Sequence, residues 1–203
     1  MRAILLFHGW GGTGEELVRT LNVWTRRWPG VRLIGLEAPN PQDGDGGARQ
    51  WFSRIAIDAG NRAARIAGAR AGVDATVRNA LAATGLDVAQ TAWVGFSQGA
   101  MVVLDAITQG RFEPSAAIAI AGRLVVPPGV TATTDILLLH GERDDVVPAP
   151  NASAAQESLH QHGYTSKLVT FPQVGHQLTR DVVECAARFL DPKVAVPAGR
   201  TTP

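Results

Sequence analysis

The sequence predicts an α/β domain with a mostly parallel central sheet of about six strands flanked by helices. Three observations carry that expectation. Short runs rich in leucine, isoleucine and valine alternate with alanine-rich stretches of helical length. Most of these runs are continuously apolar, the pattern of strands covered on both faces. The stretch Gly95-Phe96-Ser97-Gln98-Gly99 joins one such run to a helix-like segment, in the context of a sharp strand-to-helix turn.

Residues 3–7, Ala-Ile-Leu-Leu-Phe, read as the first strand. The run is too short for a signal peptide core and has no cleavage site after it. Further strands are expected at 31–36, 91–94, 116–120, 136–139 and 166–171, and helices at 15–27, 55–84, 98–109, 149–161 and 181–190. Gly60, Gly68 and Gly72 mark places where the 55–84 stretch can break into two helices. Strands and helices in this alternation connect by right-handed crossovers. Residues 39–47, Pro-Asn-Pro-Gln-Asp-Gly-Asp-Gly-Gly, are a loop by every turn signal, and residues 121–134, with Pro127-Pro128-Gly129, form a second. Both follow strands, where α/β proteins place functional loops. Residues 1–190 form the domain; residues 191–203, with three prolines, are expected to be a loosely ordered tail.

A chain of 203 residues with 45% hydrophobic and 18% charged residues can bury a core and is not of disordered composition. Net charge is +1 without a basic block, so no nucleic acid or anionic membrane surface is expected as a partner. No apolar run has the length of a bilayer span, so no membrane insertion is expected. The single cysteine, Cys185, reads as a helical core thiol, and a chain with one cysteine suits the reducing cytoplasm. The sequence leaves a homodimer open.

Chemistry centres on Ser97. Glycines two residues before and two after it allow a strained turn that lifts the hydroxyl clear of the sheet onto a helix N-terminus. The backbone N–H of Gln98 is then free to stabilise an oxyanion. Such a serine needs a base and a group that orients it. The run ending at Leu139 leads into His140-Gly141-Glu142-Arg143-Asp144-Asp145-Val146-Val147-Pro148, and the run ending at Phe171 leads to His176. Either Asp144 or Asp145, with His176, would project from strand ends on the same rim as Ser97. His8-Gly9-Trp10-Gly11-Gly12-Thr13-Gly14 follows the first strand, and one N–H of this loop would complete a pair of oxyanion donors. It matches no phosphate-binding glycine pattern. His8 and His140 are expected to shape their loops. His160 and His162 fall on different helix faces, and no cluster has zinc-like spacing, so neither metal nor cofactor is expected. Asp181 suits a helix N-terminus.

In this order, the glycine loop at 8–14, Trp51-Phe52, Gly95-Phe96-Ser97-Gln98-Gly99-Ala100, the 140–148 stretch and Gly175-His176 resemble the phospholipase/carboxylesterase family of α/β hydrolases, which includes acyl-protein thioesterases and small bacterial carboxylesterases. The resemblance runs from Ile4 to about Leu190 and implies a compact α/β-hydrolase fold without a cap domain. It implies a catalytic Ser97, His176 and Asp144, selecting Asp144 over Asp145. It assigns the oxyanion N–H groups to Trp10 and Gln98, and places Trp51, Leu124 and Val147 with the Gly122-Arg123 stretch at the substrate pocket. Trp10 stands where the family usually has an aliphatic residue, Gly12 where it often has an acid, and Ser53 where it often has Asp. The activity implied is hydrolysis of short or medium acyl esters, a small-molecule ester or thioester being the partner. Thioester or lysophospholipid cleavage is the alternative within the family, and a hydrolase fold that binds without turnover is the alternative outside it.

Overall fold

The computed structural model describes residues 1–194. The core is a six-stranded sheet of β1 (Ala3–Phe7), β2 (Arg32–Leu36), β5 (Thr91–Phe96), β6 (Ala116–Ile120), β7 (Asp135–Gly141) and β8 (Ser166–Phe171), in the spatial order β2-β1-β5-β6-β7-β8. Each neighbouring pair in this sheet is parallel. Between β1 and β5 the strand order reverses direction, and the loops after these two strands diverge there. This is the crevice in which doubly wound sheets form their sites.

Parallel strands need cover on both faces, and side chains alternate between the two. Leu5, Phe7 and Trp93 face one core with α3 (Arg62–Thr84), α4 (Gln98–Thr108) and α5 (Pro150–Gln161). Ile4, Leu6, Val94 and Ile118 face the other, with α1 (Gly14–Thr20), α2 (Val23–Arg27) and α6 (Arg180–Leu190). All eleven residues of α4 are buried, so the helix that follows Ser97 is held on every side. Arg70 of α3 grips the buried Asp105 of α4 through Nε and Nη2, and Arg111 bridges Asp105 and Asp74.

Several local expectations are corrected. The stretch at 15–27 is two helices, separated at Leu21–Asn22 where a residue of low helix propensity intervenes. Thr13 and Glu16 close a capping box on the first. The 55–84 stretch contains one 23-residue helix starting at Arg62, not two. Ahead of it, Asp58 and Asn61 exchange side-chain bonds with each other's backbone N–H, which competes with helix formation. Gly72 lies within the helix where a Cβ would stand 2.9 Å from Pro39, so close packing accounts for that glycine. Residues 39–47 are not a plain loop. Asn40–Gln42 (β3) and Asp45–Gln50 (β4) form an antiparallel hairpin that turns at Asp43-Gly44, with Gly44 at φ 82°.

Residues 191–193 were expected to belong to a loosely ordered tail. Asp191–Lys193 form a 3-10 turn docked on the domain. Arg27 and the Trp28 indole donate to Asp191, Lys193 pairs with Asp135, and the Met1 ammonium donates to the Lys193 carbonyl. The rest of the expected tail, 195–203, lies outside the described residues.

Where α1 meets β2, glycine faces glycine. A Cβ on Gly35 would collide with the Gly14 carbonyl, and one on Gly14 would stand 2.6 Å from the Gly35 carbonyl carbon. Neither neighbour is a flexible side chain, so the backbone itself must move. Gly35→Ala should therefore lower stability by about 3 kcal/mol, the upper end of ordinary overpacking. Urea unfolding monitored by tryptophan fluorescence measures this; a change under about 0.5 kcal/mol, the surface-substitution range, would refute the close-packing account.

Candidate active site

Ser97 follows the last residue of β5 and opens α4, at φ 53° and ψ −114°. A non-glycine residue with positive φ is uncommon and marks strain. The turn is tight because both flanking glycines pack on backbone. A Cβ at Gly95 would stand 2.5 Å from the Gly99 oxygen, and one at Gly99 would collide with the Phe7 carbonyl of β1. The Ser97 N–H donates to the Ile120 carbonyl at 2.8 Å, tying the turn to the end of β6.

The structure brings Ser97, His176 and Asp144 into one hydrogen-bonded line. Ser97 Oγ lies 2.9 Å from His176 Nε2, and His176 Nδ1 lies 2.8 Å from Asp144 Oδ2. The Asp144 side chain is fully buried, and its Oδ1 accepts the N–H groups of Val146 at 2.9 Å and Val147 at 2.7 Å. An ionised carboxylate at Nδ1 places the imidazole proton there, leaving Nε2 as acceptor for the serine hydroxyl. Asp145 is exposed and takes no part, so geometry separates the two adjacent aspartates. Phe96 packs on the His176 ring at a centroid distance of 5.1 Å. His140 sits behind the array: its Nε2 donates to the Val147 carbonyl at 2.7 Å and lies 3.3 Å from Asp144 Oδ2.

The glycine loop after β1 approaches from the other side, where a Cβ on Gly9 would lie 3.4 Å from the Ser97 Cβ. Among the described residues, neither the Trp10 nor the Gln98 backbone N–H donates a hydrogen bond. His8 shapes this loop. Its Nε2 accepts the Ala38 N–H at 3.1 Å, which leaves Nδ1 to donate to the Gly9 carbonyl at 2.7 Å. Burial holds its pKa below the ordinary histidine value, with the Gly9 bond and Glu37 opposing that shift.

The cleft at Ser97 encloses a cavity of about 100 Å³ and is walled by Trp10, Phe52, Ile57, Met101 and Val147. Arg54, Arg62 and Arg123 also line it. Two pocket residues expected from sequence are placed elsewhere. Trp51 is fully buried behind the wall, donating Nε1–H to the His8 carbonyl and its own N–H to Gln98 Oε1. The Gln98 amide in turn donates to the Phe52 carbonyl, so Gln98 clamps residues 51–52 to the serine turn, and Phe52 is the residue that faces the cleft. Leu124 packs against the core; its neighbour Arg123 lines the cleft instead. The arginines gave no sequence signal, being scattered over three segments. Among the described residues, no group of three or more His, Cys, Asp or Glu could hold a metal ion, and no helix is long and apolar enough to cross a membrane. Cys185 is half-buried in α6, which raises its thiol pKa.

A parallel sheet whose elbow serine stands at the reversal of strand order, in line with a histidine and an aspartate from later strand ends, puts this chain among the α/β hydrolases. In structure it is similar to esterase PE8, with a TM-score of 0.86 at 31% identity over 95% of this chain and 92% of that one. In sequence it is 32% identical to esterase YpfH of Escherichia coli over 92% of this chain and 81% of that protein. It is 26% identical to acyl-protein thioesterase 1 of Neurospora crassa over 95% of this chain and 88% of that protein. The phospholipase/carboxylesterase family model matches residues 1–193, and the chain belongs to that family, as a carboxylesterase-type hydrolase.

The buried neutral His8 links stability to pH. Its folded pKa is depressed, so the unfolded chain binds the proton more readily. The contribution is complete above the unfolded value of about 6.5 and is lost as pH falls through the folded value. Urea midpoints should therefore fall between about pH 7.5 and pH 5. His8→Asn should show a flatter profile over that window; an equal slope in both proteins would remove His8 as a source.

Proposed function

We propose that this chain is a serine esterase that hydrolyses small carboxylic esters through an acyl-enzyme. The observation that carries the reading is the continuous Ser97–His176–Asp144 line beside two unengaged N–H groups. Ser97 Oγ attacks the acyl carbonyl while His176 Nε2 takes its proton. The carbonyl oxygen becomes an oxyanion held by the Trp10 and Gln98 N–H groups. The C–O bond to the alcohol then breaks, and Nε2–H delivers its proton to the departing oxygen. Water, deprotonated by His176, attacks the acyl-serine, and collapse of the second tetrahedral species releases the acid and restores Ser97. Asp144 keeps the Nδ1–H tautomer and balances the imidazolium. A thioester would follow the same steps with a thiol as leaving group; the likeness to a protein named acyl-protein thioesterase supports testing both bonds.

Short or medium acyl chains, up to about eight carbons, fit this reading. Each buried methylene contributes about 0.8 kcal/mol until the apolar wall ends. Trp10 narrows that wall at the mouth, anchored by its indole bond to Gln50 and covered by the Arg54 guanidinium 4.7 Å from the ring centroid. The kcat/KM for p-nitrophenyl esters should climb from acetate to a medium-chain optimum and then level, and Trp10→Leu should move the optimum to longer chains. A palmitate optimum in the unaltered protein would reverse the assignment of Trp10.

Ser97→Ala should reduce kcat by about a million-fold, and Asp144→Asn by about ten-thousand-fold through the wrong tautomer. Asp145→Asn should change it by less than about threefold, since its side chain is exposed. Folded Ser97→Ala protein retaining more than about a hundredth of the rate would dismiss Ser97 as nucleophile.

A further inference from the structure

We propose that the cleft beside Ser97 contains an anion subsite formed by Arg123 with Arg62 and Arg54, so that the substrate is an ester that itself carries a carboxylate or phosphate. The proposal rests on the esterase reading and specifies its substrate class. The three guanidiniums come from separate segments: the loop after β4, the first turn of α3 and the loop after β6. All three line the same cleft as the nucleophile.

What they share is one cleft beside Ser97 and no counter-charge within it. Arg27, Arg70, Arg111 and Arg188 each pair with carboxylates elsewhere on the molecule. Among the described residues, Arg54, Arg62 and Arg123 form no ion pair, and their side chains donate no hydrogen bond. Arg123 Nε is buried and has no acceptor. Burial and the nearby charge of Arg62 both disfavour the charged Arg123 guanidinium; Asp144 is the carboxylate that acts in its favour. Both Asp144 oxygens are already engaged, by His176 and by the Val146 and Val147 amides.

Arg62 adds a second mismatch. It occupies the first turn of a 23-residue helix that has no acidic residue there, so a cation meets the positive end of the helix dipole. Like charges gathered in a partly desolvated cleft cost stability unless something offsets them. A planar carboxylate or a phosphate matches the donor edge of a guanidinium and would satisfy the unpaired Nε. Phe52, Ile57, Met101 and Val147 supply the apolar surface for the carbons that join that anion to the ester. The cavity of about 100 Å³ favours a small molecule, such as a monoester of a dicarboxylic acid or an ester of a phosphorylated alcohol.

Two matched pairs test this and separate the sources of the anion. Monomethyl glutarate is compared with dimethyl glutarate, and 1-acetylglycerol 3-phosphate with 1-acetylglycerol, by kcat/KM. The anionic member should be preferred at least tenfold in one pair, and Arg123→Gln should lower that preference at least fivefold. Arg62→Gln, on a different element, should lower it too, which covers the case in which Arg123→Gln does not fold. A preference below tenfold in both pairs, or one that both variants leave intact, overturns the subsite while the esterase reading stands. Calorimetric titration with glutarate and with inorganic phosphate reads the subsite without turnover. If neither pair is hydrolysed, the esterase reading fails, and the titration decides: binding that weakens in Arg123→Gln supports the subsite, and absence of binding to the unaltered protein overturns it.

Discussion

Ser97 cannot hold its backbone at φ 53° unaided, because such a conformation costs about 1–3 kcal/mol for a residue with a Cβ. It is held by contact between main chains. Gly99 lies against the carbonyls of Phe7 and His8, Gly95 lies against Gly99 and Ala100, and the Ser97 N–H is fastened to Ile120. Because α4 is buried along its whole length, the turn cannot relax by tilting its helix outward. Everything near the serine is placed relative to this contact: the glycine loop runs on from Phe7, and Gln98 clamps the segment that carries Phe52.

The histidine and aspartate reach the same point from the other half of the sheet by similar means. A Cβ on Gly141 would collide with the Val174 carbonyl, so the loop bearing Asp144 and the loop bearing His176 are in backbone contact. The Arg143 N–H donates to the Val174 carbonyl and fixes their spacing. Asp144 then accepts from amides within its own loop, which leaves its second oxygen for His176. The line of three side chains is thus the product of main-chain packing at two glycine-rich junctions.

This explains what was legible in the sequence. Strands covered on both faces must be continuously apolar, so the central strands β1, β5, β6 and β7 announced themselves, the edge strands β2 and β8 carried a weaker mixed pattern, and residues fixed by turn chemistry, such as Ser97 between its glycines, were legible too. Asp144 was separable from Asp145 through a motif, and burial supplies the physical reason: one side chain is enclosed, the other exposed. Contacts that depend on where a loop returns were not legible. Trp51 and Phe52 are adjacent, and nothing local says which turns inward; the Gln98 clamp decides it. The same holds at Arg123 and Leu124. The 39–47 segment, rich in proline and glycine, hid a hairpin whose stability comes from Gln50 and Arg49 bonding back to Pro41, Ala38 and Pro39.

The pairing of β1 with β5 has a kinetic consequence. It joins residues 3–7 to residues 91–95, and the serine turn depends on a close approach across that very seam. Helices α3 and α4 are local structures that can begin to form early, whereas a parallel pairing over so long a span must first close a large loop. The serine turn therefore depends on closure of that long loop. A chain whose first strand is unpaired would carry Ser97, His176 and Asp144 without the seam against which the serine turn is packed.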